Sequence, residues 1–148
     1  MIKIPLEIVS IEPNGTHLLL DVEVNGNKLK VVLDTGASRS VFDLDYLKSI
    51  EPELIVKEEE ATSAGVGAID IISYTAVIEN FGIGQQQIPK FEIAAMDLAA
   101  VLQSYEKIGA VKIHGVLGGD ILLKGNAQID YAKRELRLDE QAILWSND

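Results

Sequence analysis

Two runs rich in leucine and β-branched residues, His17–Val24 and Lys28–Leu33, are joined through Asn25 and Gly26. Asn-Gly between apolar runs is the strongest short-range hairpin signal. A two-residue type I′ turn needs positive φ at both central positions, and these two residues adopt it at low steric cost. The pair commits the surrounding chain to antiparallel strands. Ahead of it, the run Ile2–Ile11 ends at Pro13-Asn14-Gly15, a second turn signal. Three consecutive antiparallel strands are therefore expected before residue 34.

The rest of the chain continues in the same β vocabulary. Leu54–Thr62 and Ala68–Glu79 read as strands around a glycine-rich tip, Ser63–Gly67. In the second of these, Ile69, Ile71, Ser73, Thr75 and Val77 share one face. Phe81-Gly-Ile-Gly84 reads as a turn, Ile88–Ala95 as a strand, and Ala127–Tyr131 with Glu135–Leu138 as a closing hairpin. Helical spacing is rarer. Ser40–Lys48 reads as a short helix with Val41, Leu44 and Leu47 on one side, limited by Pro52. Asp97 reads as an N-cap to an amphipathic helix whose apolar positions are Leu98, Val101, Leu102, Tyr105 and Ile108. Gly109 stands at its C′ position. Asp120 reads as an N-cap for Ile121–Lys124. With no repeat, linker or low-complexity tract, residues 1–148 read as a single, mostly β domain.

Composition narrows the chemistry. The chain has no cysteine, which excludes disulfides, thiolate metal sites and cysteine nucleophiles. At 148 residues and 47% hydrophobic content, it can bury a core without such staples. The net charge of -10 repels phosphate backbones, so nucleic acid is not an expected partner. No apolar run reaches the roughly 20 residues of a membrane span. Pro5 and Glu7 interrupt the start before a signal-peptide core can form, and the expected compartment is the cytoplasm. His17 and His114 show no metal-ligand spacing, so no metal and no cofactor are expected and both read as structural.

One motif carries chemistry. Asp34-Thr35-Gly36 follows the apolar strand Leu29–Leu33. Alone it is weak, since from average composition such a triplet occurs in roughly a few per cent of chains this size. It also suits an ordinary turn. Its context says more. The run Val31-Val-Leu-Asp-Thr-Gly-Ala-Ser-Arg-Ser-Val41 resembles the active-site segment of the retropepsin-like aspartic proteases. Gly115-Val-Leu-Gly-Gly-Asp-Ile-Leu resembles the second signature of that family. The glycine-rich tip Gly65-Val66-Gly67 stands where the family has its substrate-covering flap. The resemblance spans most of Val22–Leu138 and is nearest to the bacterial and cellular single-domain members. It implies a closed or partly open acid-protease β-barrel with one amphipathic helix and one or two short helices.

The resemblance also implies an activity. Hydrolysis of a peptide bond without metal or covalent intermediate needs an activated water and a proton donor. Two carboxylates about 3 Å apart, the situation for which aspartic proteases are the standard example, share one proton and fill both roles. Asp34 would be the catalytic carboxylate, with Thr35 and Gly36 holding it. Ala37 and the tip residues Gly65, Val66 and Gly67 would contact substrate, a peptide or protein. Ala37 lacks the hydroxyl that two-lobed relatives place beside the carboxylate, which implies an optimum at mildly rather than strongly acidic pH. No second Asp-Thr-Gly or Asp-Ser-Gly exists in the chain. Asp130 and Asp139 read as exposed residues of the last hairpin. The dyad therefore requires a homodimer in which Asp34 meets its own copy across a two-fold axis. The alternative is a non-catalytic module of the same fold that binds extended peptides by strand addition or serves as a dimerisation unit.

Overall fold

The structure is a computed structural model and describes residues 1–12, 15–58, 62–63, 70–100, 102–103, 112–140 and 142. In chain order the elements begin β1 (Ile2–Pro5), β2 (Glu7–Glu12), β3 (Gly15–Val24), β4 (Asn27–Leu33), β5 (Val41–Asp43) and α1 (Leu44–Ile50). They continue β6 (Ile55–Glu58), β7 (Thr62–Ser63), β8 (Asp70–Ile71), β9 (Tyr74–Ile83) and β10 (Gln86–Met96). The chain closes with β11 (Gly115–Leu117), α2 (Gly119–Lys124), β12 (Gln128–Asp130) and β13 (Glu135–Leu138).

The large sheet runs β2-β3-β4-β11-β5-β10-β9-β6, and a further pairing of β3 with β9 joins its two halves. Six strands, β3-β4-β11-β5-β10-β9, thus close into a barrel, the architecture the motifs implied. The turn at Asn25-Gly26 is as the sequence demands: φ is 49° and 84° at the two positions. It sets the β3–β4 register, Val24 opposite Asn27 through Leu18 opposite Leu33.

The barrel is filled from both sides of that hairpin. Val22, Val24, Leu29, Val31 and Leu33 point into a core that includes Phe42, Ile83 and Leu117. Phe81 meets Phe42 edge-on at 6.2 Å and stacks on Phe91 at 4.9 Å. Such aromatic pairs contribute about 0.5–1.5 kcal/mol each beyond their area. Val32 points the other way. It joins Leu19 and Ile113 in a small outer cluster against which Leu102 packs. This explains why Val31-Val32-Leu33 is apolar without alternation: both faces of the strand end are covered.

Several local expectations are corrected. The run Ile2–Ile11 is not one strand. Pro5, which has no N–H, ends β1, and buried Leu6 carries the chain across with its N–H on the Arg134 carbonyl at 2.8 Å. β1 then pairs β13 and β2 pairs β3, in different sheets. The expected helix from Ser40 begins as strand β5, because Val41 and Phe42 are claimed by β10 on one side and β11 on the other. Helix α1 starts only after Asp43, whose carboxylate accepts from the Tyr46 N–H at 3.2 Å as an N-cap. The expected turn at Phe81–Gly84 is instead the end of β9, and the chain turns at Gly84-Gln85. The strand expected over Ala68–Glu79 is broken at Ile72-Ser73, and its buried row is Ala76 and Ile78, not Thr75 and Val77.

The expected Asp97 helix is present in the described part. The Asp97 carboxylate accepts from Ala99 N–H at 2.9 Å, and Leu102 N–H donates to the Leu98 carbonyl at 2.9 Å. Val101, Tyr105, Ile108 and Gly109 lie outside the described residues. No helix among the described residues is long and apolar enough to cross a membrane.

Candidate active site

β4 runs out of the barrel into Asp34. It does so beside β11, with which it pairs in parallel, Val32 opposite Val116 and Leu33 opposite Leu117. The Asp34 N–H donates to the Leu117 carbonyl at 3.0 Å, the last bond before the loop departs. The loop then folds on its own side chain. Gly36 N–H donates to Asp34 Oδ1 at 2.8 Å, and Ala37 N–H donates to the Asp34 carbonyl at 3.2 Å. This is the local turn that Asp favours, and it leaves the carboxylate on the exposed rim of the barrel.

A second layer of bonds pins the loop to residues 80 positions away. The Gly119 N–H donates to the Ala37 carbonyl at 2.7 Å. Ser40, only 3% exposed, donates through its N–H and its hydroxyl to Asp120 Oδ1 at 2.8 and 2.7 Å. The same hydroxyl accepts from Gly118 N–H at 2.8 Å. Asp120 Oδ1 also accepts from Ile121 N–H at 2.8 Å. Asp120 is therefore not the N-cap of its helix. Gly118 occupies that place, and the Asp120 carboxylate, one residue inside α2, ties the helix to the loop of Asp34. Gly118 has a steric reason: a Cβ there would lie 2.7 Å from the Ala37 carbonyl oxygen and 2.8 Å from that of Arg39. The two sequence signatures interlock through backbone contact.

Thr35 is exposed beside Asp34, and both line a hollow of about 260 Å³. Its other walls include Thr16 and His17 of β3, and Ile129 and Tyr131 of the last hairpin. Sequence reasoning did not bring His17 or Tyr131 to this place, nor Ser40 to Asp120. No local pattern signals these contacts. Only burial of a lone serine beside the motif hints at the second. Thr62 pairs with Ile71 and Ser63 with Asp70, so the segments on either side of residues 64–69 are antiparallel partners. Gly65, Val66 and Gly67 themselves lie outside the described residues. His114 stacks on Tyr46 at 3.5 Å with the rings 11° apart. Asp130, read as exposed, is instead half-buried and bonded to Arg137 at 3.1 Å. Among the described residues no three His, Asp or Glu side chains converge as metal ligands would.

The geometry agrees with what the chain is similar to. A family model described as aspartyl protease matches residues 20–121, a span that holds the first signature, all but the last residue of the second, and the elements between them. The chain belongs to the aspartyl protease family. Within it, the solved structures that resemble this one are retropepsin-like. The retroviral protease-like domain of Ddi1 from Leishmania major superposes with a TM-score of 0.56 at 17% identity, over 83% of this chain and 88% of that one. The EIAV protease in complex with the inhibitor HBY-793 gives 0.56 at 19% identity, over 82% and 99%. A retropepsin-like aspartic protease from Rickettsia conorii gives 0.51 at 20% identity, over 90% and 89%. In sequence, the chain is 29% identical over 129 residues to DNA damage-inducible protein 1 of Neurospora crassa. The match takes in 86% of this chain and 26% of that protein, so this chain corresponds to about a quarter of it.

Proposed function

We propose that this aspartyl protease family member is an endopeptidase that cleaves peptide bonds with a water held between the Asp34 carboxylates of two copies. The supporting observation is the presentation of Asp34. Its backbone and one carboxylate oxygen are fixed by three neighbours, Leu117, Gly36 and Ala37, while the side chain stands exposed at the barrel rim. A carboxylate that served only the fold would be turned inward to its bonds, as Asp120 is. Asp34 is turned out to meet something.

The chemistry follows from the pairing. One carboxylate, ionised, takes a proton from the water as it attacks the scissile carbonyl carbon. The other, protonated because two close carboxylates share one proton, donates to the carbonyl oxygen. The pair, not either residue, owns the titration. Gly36 holds each carboxylate through its N–H, and Thr35 would bond across the axis to its counterpart. The hairpin of β7 and β8, through Gly65–Gly67, would close over an extended peptide that also contacts Ala37.

Replacing Asp34 with Asn keeps size and removes the proton chemistry. Cleavage of a peptide library should fall by about 10³-fold or more, the scale on which acid–base groups contribute. The unfolding midpoint should change little. Unchanged cleavage in D34N would sink the assignment and favour the non-catalytic module of the same fold.

A further inference from the structure

Strand β9 is longer than the strands that cover one of its edges. β6 pairs with it over Tyr74–Val77, and β3 over Phe81–Ile83. Between the two, Asn25 closes the barrel wall. Its N–H donates to the Asn80 carbonyl at 2.9 Å, and its Oδ1 accepts from the Asn80 N–H at 3.0 Å. Beside this join lies a hollow of about 530 Å³. Pockets that hold ligands commonly measure about 300–1,000 Å³. The hollow shares no lining residue with that of Asp34.

Its floor is partly apolar. Ala76 and Ile78 of β9 point into the core, so Val77 and Glu79 point out. Val77 lines the hollow together with Leu54 and Ile55, and Ile55 is 64% exposed. Its walls are acidic. Glu51, Glu53 and Glu79 stand there, and no lysine, arginine or histidine does. Glu51 is held in place: its Oε2 accepts from Asn25 Nδ2 at 3.2 Å. Glu51 is also the C-cap of α1, with its N–H on the Leu47 carbonyl at 2.9 Å. A helix C-terminus favours cations. Among the described residues no cation pairs with any of the three glutamates.

The charge is not gathered for a metal ion, since among the described residues no three acidic or histidine side chains converge. Acids spread around an apolar floor suit cations spaced along a chain. The backbone beside them is open to such a chain. β6 is one edge of the eight-stranded sheet and pairs only with β9 among the described residues. The other edge, β2, is blunted by a register shift between Ser10 and Glu12. The β6 ladder is regular from Ile55 opposite Val77 to Glu58 opposite Tyr74. Lys57 shares the outer face with Ile55, so it sets the far limit of a cationic run.

We propose that this hollow docks an extended, lysine- or arginine-rich segment of a protein partner. The segment lies along the start of β6, with an apolar side chain on Ile55 and its cations on Glu51, Glu53 and Glu79. The net charge of -10 draws such a segment in, and the hollow fixes where it sits. This is a binding site apart from the Asp34 cleft, and it stands whatever Asp34 does.

The full chain with Asp34→Asn is the test protein, so that the probe stays uncut. The probe is a fluorescein-labelled octapeptide of alternating lysine and leucine, beside a counterpart with glutamine for lysine. Anisotropy at low salt should show the lysine peptide bound and the glutamine peptide free. Glu53→Lys with Glu79→Lys should weaken binding by about tenfold or more, because both attractions become repulsions. Glu92→Lys with Glu140→Lys makes the same change in net charge outside the hollow and should weaken binding by less than about threefold. Ile55→Ser should weaken it, and Lys57→Glu should tighten it. Where the first double reversal lowers the melting temperature, Glu53→Gln with Glu79→Gln should still weaken binding, without added repulsion. Absence of binding at low salt overturns the proposal. Equal losses in the two reversal pairs also overturn it, because net charge alone would then attract the peptide. Binding indifferent to Glu53 and Glu79 does the same, and places the peptide elsewhere on the chain.

Discussion

The loop that carries Asp34 and the hairpin of β12 and β13 lie on either side of one hollow but are held in opposite ways. The loop is pinned from within. Its serine, Ser40, is 3% exposed, and its bonds to Gly118 and Asp120 are 2.7 to 2.8 Å long. The hairpin is tied by side chains that stay partly open to water, where Arg137 spans Gln128, Asp130 and Glu135. Buried hydrogen bonds are costly to lose because the orphaned group cannot recover water. Ion pairs that keep some contact with water contribute less, and salt or acid weakens them. The contrast assigns rigidity to the loop that presents Asp34 and a looser hold to the hairpin across the hollow from it.

Three substitutions test that contrast. The largest effect is expected at Gly118→Ala. A methyl group forced to 2.7 Å from the Ala37 carbonyl oxygen must push the Asp34 loop away from α2. Overpacking of this kind costs about 1–3 kcal/mol or more, and cleavage should fall along with the unfolding midpoint. Full activity with unchanged stability would show that the loop tolerates movement.

Ser40→Ala comes next. It takes a hydroxyl from Asp120 and an acceptor from Gly118 N–H. The expected loss is about 1–3 kcal/mol, read from chemical denaturation. Ser40→Thr, which keeps the hydroxyl, should recover part of it. Equal losses in both variants would place the cost in packing instead of hydrogen bonding.

The smallest effect belongs to the hairpin and depends on pH. The Lys133 backbone N–H, and after it the Arg137 guanidinium, hold the Asp130 carboxyl below its ordinary value of 3.8. A carboxylate whose folded value is depressed stabilises the fold above its unfolded value and loses that contribution as pH falls through the folded one. Asp130→Asn should therefore be slightly less stable than wild type at neutral pH. The two denaturation curves should converge below about pH 3. A difference that persists undiminished at low pH would show that Asp130 acts through shape and not charge. At the other end of the barrel, Lys30 is raised from 10.5, first by its bond to Glu7 and then by Asp21. That contribution is present at neutral pH and lost in strong alkali, and both chains share it, so it leaves this comparison undisturbed.

Much of the molecule was legible in one dimension. The Asn25-Gly26 turn, the β4 strand, the carboxylate loop and the family to which they belong all follow from residues adjacent in sequence. Their signals are local: φ preferences at a turn, alternation along a strand, a carboxylate beside a glycine N–H. The fold class was legible for the same reason, since strand after strand was punctuated by turn residues. Other features were not. Nothing near Pro5 says that the strands on its two sides enter different sheets, because that depends on Leu138 and Leu19, their partners far along the chain. Val41 has helical spacing with Leu44 and Leu47, yet Val41 and Phe42 become a strand because two waiting edges claim their backbone. Asp120 has the sequence of an N-cap and becomes a brace because Ser40 arrives from 80 residues away. The sequence by itself determined the carboxylate loop and that the chain carries its Asp-Thr-Gly motif once. The tertiary structure decided what holds that loop still, through bonds to Gly118, Gly119 and Asp120. A local conformation is set by its own few residues, whereas a pairing is set by whichever distant backbone is left unsatisfied when the barrel closes.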